Sequence, residues 1–277
     1  MSAAPQTAPG TLDALRERLQ PYRATVVAFS GGVDSALLAH QAAAVLGRRA
    51  LAVTAVSPSL RADELASAEA TATRLRLRWR AVETAEMDDP AYRANGPDRC
   101  WHCKSALMDA LTPLAAAEGA QVLLGVNLDD LGEHRPGQAA AAERGAKFPL
   151  VDAGFTKHDV RAAARLLGLE VWDKPAAACL ASRLPYGTPV TLGTLGRVAA
   201  AETGLTALGF GQVRVRHYGE LARIELDASR LTEAVARREE LIEAVHAAGY
   251  RYVTLDLEGF RSGNLNDALG SSGRVGS

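Results

Sequence analysis

The chain has 277 residues, 48% of them hydrophobic, which is enough for one large or two ordinary domains with a real core. Its 31 basic and 32 acidic residues leave a formal net charge of −1, which argues against a nucleic-acid partner held by a broad positive field and favours a small molecule. No apolar run reaches the about 18 residues of a membrane span, and "MSAAPQTAPG" has neither a basic start nor a long apolar stretch, so no membrane partner and no secretory signal are expected and the cytoplasm is the default location.

After a tail of ten residues, "TLDALRERLQPY" reads as a short amphipathic helix. "ATVVAF" then predicts a buried strand, "DSALLAHQAAAVLG" a helix closed by Gly47, "RALAVTAVS" a second strand and "RADELASAEATATRLRL" a second helix. "RWRAVET" and "AQVLLGVN" continue the strands, with "SALMDALTPLAAAEG" as the helix between them. "KHDVRAAARLLGL" predicts another helix and "EVWDKP" a strand end. This alternation predicts an α/β fold, a doubly wound parallel sheet with helices on both faces and its strand-to-helix loops along one edge.

After "ASRLPYGTPVT" the pattern changes. "LGTLGRVAAAETGLTALGF" reads as a helix, "QVRVRHYGELARIELD" as two strands turning at Tyr218 and Gly219, "LTEAVARREELIEAVHAAG" as one long helix and "YRYVTLDL" as a last strand. The expected organisation is a first domain over residues 11–185, a smaller C-terminal α+β domain over 186–265, and a flexible Gly/Ser-rich tail over 266–277.

Between the first strand and its helix stands "SGGVDS". Gly31 and Gly32 allow main-chain N–H groups to turn toward an anion, and the helix that follows adds orphan donors and a positive dipole end. Ser30 and Ser35 can donate hydroxyls, while Asp34 can cap the helix or help hold a phosphate-bound Mg2+. A tight connection with no ligand is the bland alternative. The stretch is neither G-x-x-x-x-G-K-[ST] nor G-x-G-x-x-G.

Three cysteines, Cys100, Cys103 and Cys179, are too few for a disulfide framework. "DRCWHCK" makes a C-x-x-C, for which a zinc site would need further ligands among Cys179, His102 and His134, and a redox pair belongs at a helix start in another fold. Cysteine is also often simply buried.

"SGGVDS" resembles the PP-loop signature of the ATP pyrophosphatase superfamily, with its adenine nucleotide alpha hydrolase-like fold. Together with "RCWHCK", "GVNLDDLGEHRPG", "CLASRLPYG" and "VRVRHYGELARIE", in that order from Ala24 to Asn264, it resembles the LarE family of ATP-dependent sulfur transferases, which serve the nickel-pincer nucleotide. The resemblance implies that ATP adenylates a carboxylate of a pyridinium-3,5-biscarboxylic acid mononucleotide, that pyrophosphate leaves, and that sulfur then displaces AMP to give a thiocarboxylate. Two sulfur sources occur in the family: a lone sacrificial cysteine at the position of Cys179, or a 4Fe-4S cluster on cysteines at the positions of Cys100, Cys103 and Cys179. All three are present, so the cluster form is expected, fed by sulfide or another sulfur donor.

Carried over in the same way, Ala28, Ser30, Gly31, Gly32, Asp34, Ser35, Gly125, Asn127 and Asp129 bind ATP, with Asp34 on Mg2+. Ser182, Arg183, Arg214, Arg216 and Glu202 meet the substrate or its phosphate, Glu202 and Glu225 supporting a metal or orienting the arginines. Surface charge is the plain alternative for those acids, and an exposed salt-bridge ladder for the arginines. His134 and Arg135 are placed near the nucleotide loop, with a hydrogen-bonded structural histidine the favoured alternative, and Trp101 stacks on a ring or simply packs. A homo-oligomer is expected. The rival readings are a PP-loop tRNA thiolase, an amide-forming synthetase, and a non-catalytic nucleotide sensor or iron-sulfur scaffold; the lack of a basic stripe weighs against the first.

Overall fold

The computed structural model describes residues 10–132, 136–175 and 178–261. The chain forms two compact units, one of residues up to Tyr92 with Asp98–Ala177, the other of Arg93–Pro97 with Ala178 onward.

Ahead of residue 178 the order is α1 (Leu12–Leu19), β1 (Thr25–Ala28), α2 (Val33–Leu46), β2 (Ala50–Val56), α3 (Ala62–Arg74), β3 (Trp79–Glu83), α4 (Pro90–Ala94), α5 (Arg99–Glu118), β4 (Gln121–Leu124), α6 (Pro136–Glu143), α7 (Pro149–Asp152) and α8 (Lys157–Leu166), all of the first unit except the end of α4. The strands pair in the order β3-β2-β1-β4, every pairing parallel, with Val26 opposite Leu51 on one side and Val122 on the other. Alternation along each strand divides the apolar side chains between two cores. Val27, Ala52 and Leu123 meet α1, α2 and α8 on one face, while Val26, Leu51, Val53 and Leu124 meet α5 and α6 on the other. The near-continuous apolar runs of β1 and β2 follow from burial on both faces, and the expected doubly wound α/β class is borne out.

The second unit contains α9 (Leu192–Ala207), β5 (Arg214–Tyr218), β6 (Leu221–Glu225), α10 (Leu231–Ala236), α11 (Arg238–Ala247) and β7 (Tyr252–Leu255). Strands β5 and β6 are antiparallel, and β7 joins β6 in parallel. Val215 and Ile224 pack with Leu205 of α9 and with Leu241 and Val245 of α11. Among the described residues no helix is long and apolar enough to cross a membrane.

Four details differ from the sequence reading. "EVWDKP" holds no strand: Glu170–Asp173 is a 3-10 turn, because Trp172 and Lys174 give their N–H groups to the carbonyls of Leu169 and Val171 rather than to a ladder. The long helix expected near residue 240 breaks at Arg237 (φ −101°, ψ 25°). Helix α5 begins at Arg99, ahead of "SALMDAL", so the C-x-x-C lies in its first turn. Finally, the division falls between residues 177 and 178 rather than at 185, and Arg93–Pro97 goes with the second unit. The buried Asn95 explains the last point: its Nδ2 donates to the carbonyls of Pro185 (2.8 Å) and Thr188 (2.9 Å), and its own carbonyl accepts from Gly187 N.

Candidate functional site

From β1 the chain runs outward through β2 to β3, then returns to place β4 on the other flank of β1. The loops after β1 and β4 therefore diverge, which opens the crevice where open α/β sheets bind ligands. Half-buried Ala28 ends β1 and Phe29 N donates to Val53 O, so the strand holds its ladder up to the loop.

Gly31 takes φ +71°, and a Cβ there would stand 2.8 Å from Ala68 Cα, so only glycine fits this turn against α3. The Ser35 hydroxyl donates to Gly32 O at 3.0 Å and accepts from Ser30 N at 3.2 Å, which closes the loop on itself. Gly32 caps α2 without a side-chain bond, so the first N–H groups of a 14-residue helix are left for a ligand. Gly125 packs against this turn: a Cβ on it would lie 2.9 Å from both Asp34 C and Ser35 N.

Asp34 joins the two loops. Its Oδ1 accepts from Asn127 Nδ2 at 3.0 Å, and its Oδ2 accepts from Lys157 Nζ at 2.5 Å. Asn127, 1% exposed, is itself fixed, its N–H given to Asp130 Oδ2 and its Oδ1 accepting from Asp129 N. The Asp129 carboxylate accepts from Lys157 N at 2.8 Å, so it holds the start of α8 instead of reaching into the crevice. Thr156 completes that helix end with a capping box to Asp159. Lys157 is the residue the sequence reading missed as a site group. Its signals were rarity, being one of four lysines, and its place directly behind a capping threonine.

Cys100 and Cys103 lie one turn apart at the start of α5, Cys100 exposed and Cys103 half-buried. Between them His102 is held on both ring nitrogens, Nδ1 to Asp89 Oδ2 at 2.7 Å and Nε2 to Asp98 Oδ2 at 3.3 Å. Trp101 packs edge-on to His102 and carries the Arg144 guanidinium 5.3 Å from its ring centre. His134 and Arg135 lie outside the described residues.

Cys179 belongs to the second unit and is exposed. The arginines expected to meet substrate are buried here, and the salt-bridge ladder is not on the surface. Arg183 grips Glu202 with two bonds, 2.7 and 3.1 Å, and Arg216 grips Glu225 with two, 2.9 and 2.8 Å; both glutamates are 0% exposed. Their remaining donors hold the cysteine segment. Arg183 Nη1 donates to Ala178 O, Cys179 O and Ser182 Oγ, and Arg216 Nη1 to Ser182 O. Arg214 differs. It is 9% exposed and stacks 4.3 Å from the Phe260 ring centre, yet among the described residues its guanidinium has no hydrogen bond or ion pair. Burial, and then the charges of Arg183 and Arg216, push its guanidinium down to about 10. Glu202 and Glu225 attract it without bonding it, and a buried cation whose donors are not engaged suits an anionic ligand.

Among the described residues no group of three or more His, Cys, Asp or Glu side chains is gathered as a metal site. The donor chemistry nonetheless fits iron: thiols are soft ligands, and two of the three sit on one exposed helical turn. Asp34 likewise suits a hard cation, since a positive ammonium already sits on its Oδ2.

Residues 11–116 match the family model described as asparagine synthase. The chain is 47% identical to an uncharacterized protein of Synechocystis, over 93% of this chain and 97% of that one. It is 40% identical to the pyridinium-3,5-bisthiocarboxylic acid mononucleotide synthase of Lactiplantibacillus plantarum, over 91% of this chain and 92% of the synthase. A protein of Methanocaldococcus jannaschii is 28% identical over 86% of this chain and 90% of its own length. With a phosphate loop at the switch point and likeness to that synthase along nearly its whole length, the chain belongs to the LarE family of PP-loop, ATP-dependent sulfurtransferases.

Proposed function

We propose that the enzyme adenylates the ring carboxylates of pyridinium-3,5-biscarboxylic acid mononucleotide and converts them to thiocarboxylates for a nickel-pincer nucleotide. The observation that carries this reading is the uncapped start of α2 with Ser30, Ser35 and Asp34 on the β1/β4 crevice, in a chain 40% identical to the named synthase.

The chemistry follows from what a carboxylate lacks. It is a poor electrophile, and adenylation gives it a good leaving group. Backbone N–H groups of Gly32 to Ser35 and the hydroxyl of Ser30 would hold the polyphosphate, with Asp34 holding Mg2+. The carboxylate oxygen bonds to the α-phosphorus, and the electron pair of the broken P–O bond leaves on pyrophosphate. A sulfur nucleophile then adds to the acyl carbon and expels AMP. A 4Fe-4S cluster would be held by the thiolates of Cys100, Cys103 and Cys179 and would supply exchangeable sulfide. Arg214 offers its guanidinium to the substrate phosphate or a ring carboxylate. Arg183 and Arg216 keep the Cys179 segment in shape.

The test is anaerobic reconstitution with iron and sulfide, followed by assays of pyrophosphate and thiocarboxylate. Pyrophosphate release that depends on the mononucleotide, with more than one thiolation per chain, is the expected result. Loss of one cysteine sulfur per product would assign the donor to Cys179 itself, and release indifferent to the mononucleotide would overturn the substrate.

A further inference from the structure

His102 stands inside the C-x-x-C turn, and both of its ring nitrogens are taken. Nδ1 pairs with Asp89 Oδ2 at 2.7 Å and Nε2 with Asp98 Oδ2 at 3.3 Å, while the Trp101 ring packs edge-on with its centre 5.2 Å away. The side chain keeps 16% of its surface open. An imidazole engaged on both nitrogens has none left for a metal, so His102 does not serve as the further ligand that its place in the motif allows.

Asp98 occupies the N-cap of α5, where an aspartate ordinarily accepts from N–H groups of the first turn. Here it makes no such bond, and its carboxylate goes to His102 four residues on. Asp89 divides its oxygens: Oδ1 accepts from Ala91 N at 2.8 Å at the start of α4, and Oδ2 takes the imidazole. One ring thus ties the first turn of α5 to a segment 13 residues earlier, in place of a side-chain cap.

Helix geometry gives this tie a direction. At about 100° per residue, Cys100 and Cys103 lie about 60° apart around the axis, whereas His102 lies about 160° from the first and about 100° from the second. A ring held from behind therefore presents the two thiols together on the other side. A turn that frays would separate them.

We propose that His102 is the positioning residue of the thiol pair: clamped between Asp89 and Asp98, it sets the turn from which Cys100 and Cys103 hold the sulfur-bearing group, and it is not itself a ligand. This inference rests on the reading above that these thiols hold an iron-sulfur cluster.

The experiment compares the full-length wild type with His102→Leu, which makes neither bond, and His102→Asn, whose amide can replace Nδ1 toward Asp89. Amide hydrogen exchange over residues 101–104 of the metal-free protein reads the turn, and iron bound per chain after anaerobic reconstitution reads its use. His102→Leu should speed exchange in that turn about tenfold, the loss of roughly one charge-assisted bond, and lower the bound iron severalfold. His102→Asn should restore most of both. Where His102→Leu does not fold, Asp89→Ser takes its place, because serine still accepts from Ala91 N but falls short of the imidazole. Wild-type exchange in His102→Leu overturns the inference, and so does faster exchange by one factor throughout the first unit, which would assign His102 to general stability. Iron lost equally in both variants, with exchange restored in His102→Asn, would make His102 a ligand and likewise overturn it. A wild type that takes up no iron overturns the cluster reading alone, and the exchange rates of the two variants then decide the tie.

Discussion

Arg183 and Glu202 face each other as a buried two-pronged pair, Nε to Oε1 at 2.7 Å and Nη2 to Oε2 at 3.1 Å, with Val215 N adding a third bond to Oε1 at 3.0 Å. The glutamate thereby joins β5 to α9, the arginine ties the Cys179 turn to α9, and its Nη1 clamps the backbone on either side of Cys179. A guanidinium is needed for this, because an ammonium cannot form the fork and reach the carbonyls together.

Replacing Arg183 by Met leaves Glu202 charged, buried and short of its main partner. We expect a loss of about 3–5 kcal/mol, read as a lower urea midpoint for the second unit, and faster alkylation of Cys179 as its segment loosens. Arg183→Lys should recover part of the stability and little of the thiol protection. An alkylation rate equal to wild type in both variants would refute the clamp.

Arg214 predicts the opposite sign. Its buried cation makes no ion pair among the described residues, and burial with the charges of Arg183 and Arg216 outweighs the attraction of Glu202 and Glu225; because its folded value of about 10 lies below the ordinary 12.5, the folding cost is present in full below pH 10. Arg214→Met should therefore raise the thermal midpoint of the ligand-free protein while weakening the mononucleotide, a trade of stability against binding. Mononucleotide binding by the variant, measured by calorimetry, at wild-type strength would remove Arg214 from the site.

The phosphate loop was legible because its causes are local: a buried strand, two glycines and a helix start. The two-sided core was legible for the same reason, since the runs in β1 and β2 encode burial on both faces. What escaped depends on distant partners. Arg183 and Arg216 were expected as site arginines, but that their forks are occupied required Glu202 from α9 and Glu225 from β6. Lys157 was visible only as a helix start until the fold brought it to Asp34. The strand expected at "EVWDKP" failed because Val171 is buried against helices, where an apolar residue serves a turn as well as a strand.

Gly125 tests whether the phosphate loop depends on close packing. Its missing Cβ would meet the backbone of Asp34 and Ser35 at 2.9 Å, and neither can rotate away as a side chain tip could. Gly125→Ala should cost about 1–3 kcal/mol and raise the KM for ATP more than it lowers kcat, as the loop is displaced. Gly196, inside α9 with open space around it, is the control: alanine there should stabilise by about 1 kcal/mol. Equal effects at both positions in a denaturation series would contradict the packing account.

His217 predicts a pH dependence for the second unit. It is 4% exposed, its Nδ1 pairs with the Tyr250 hydroxyl at 3.0 Å, and burial followed by the nearby Arg197 charge lowers its value below the ordinary 6.5. Arg197 is itself stacked 5.4 Å from the Tyr250 ring centre and bonded to Gly249 O, so it cannot withdraw when the imidazole charges. Because the folded value is depressed, the unfolded chain takes up its proton first as pH falls. The neutral ring's contribution is complete above about pH 6.5 and is lost as pH drops from there toward the folded value. His40 in the first unit, lowered by burial and Arg16, acts with the same sign. The hydrogen-bonded carboxylates Asp63, Asp159 and Asp227 are held low, so their contribution is lost only below the usual carboxylate range. Urea midpoints between pH 8 and pH 5 should therefore decline below about 6.5, and His217→Gln should flatten that part of the curve for the second unit while leaving the acid limb in place. A wild-type slope retained in His217→Gln would assign the titration to another group.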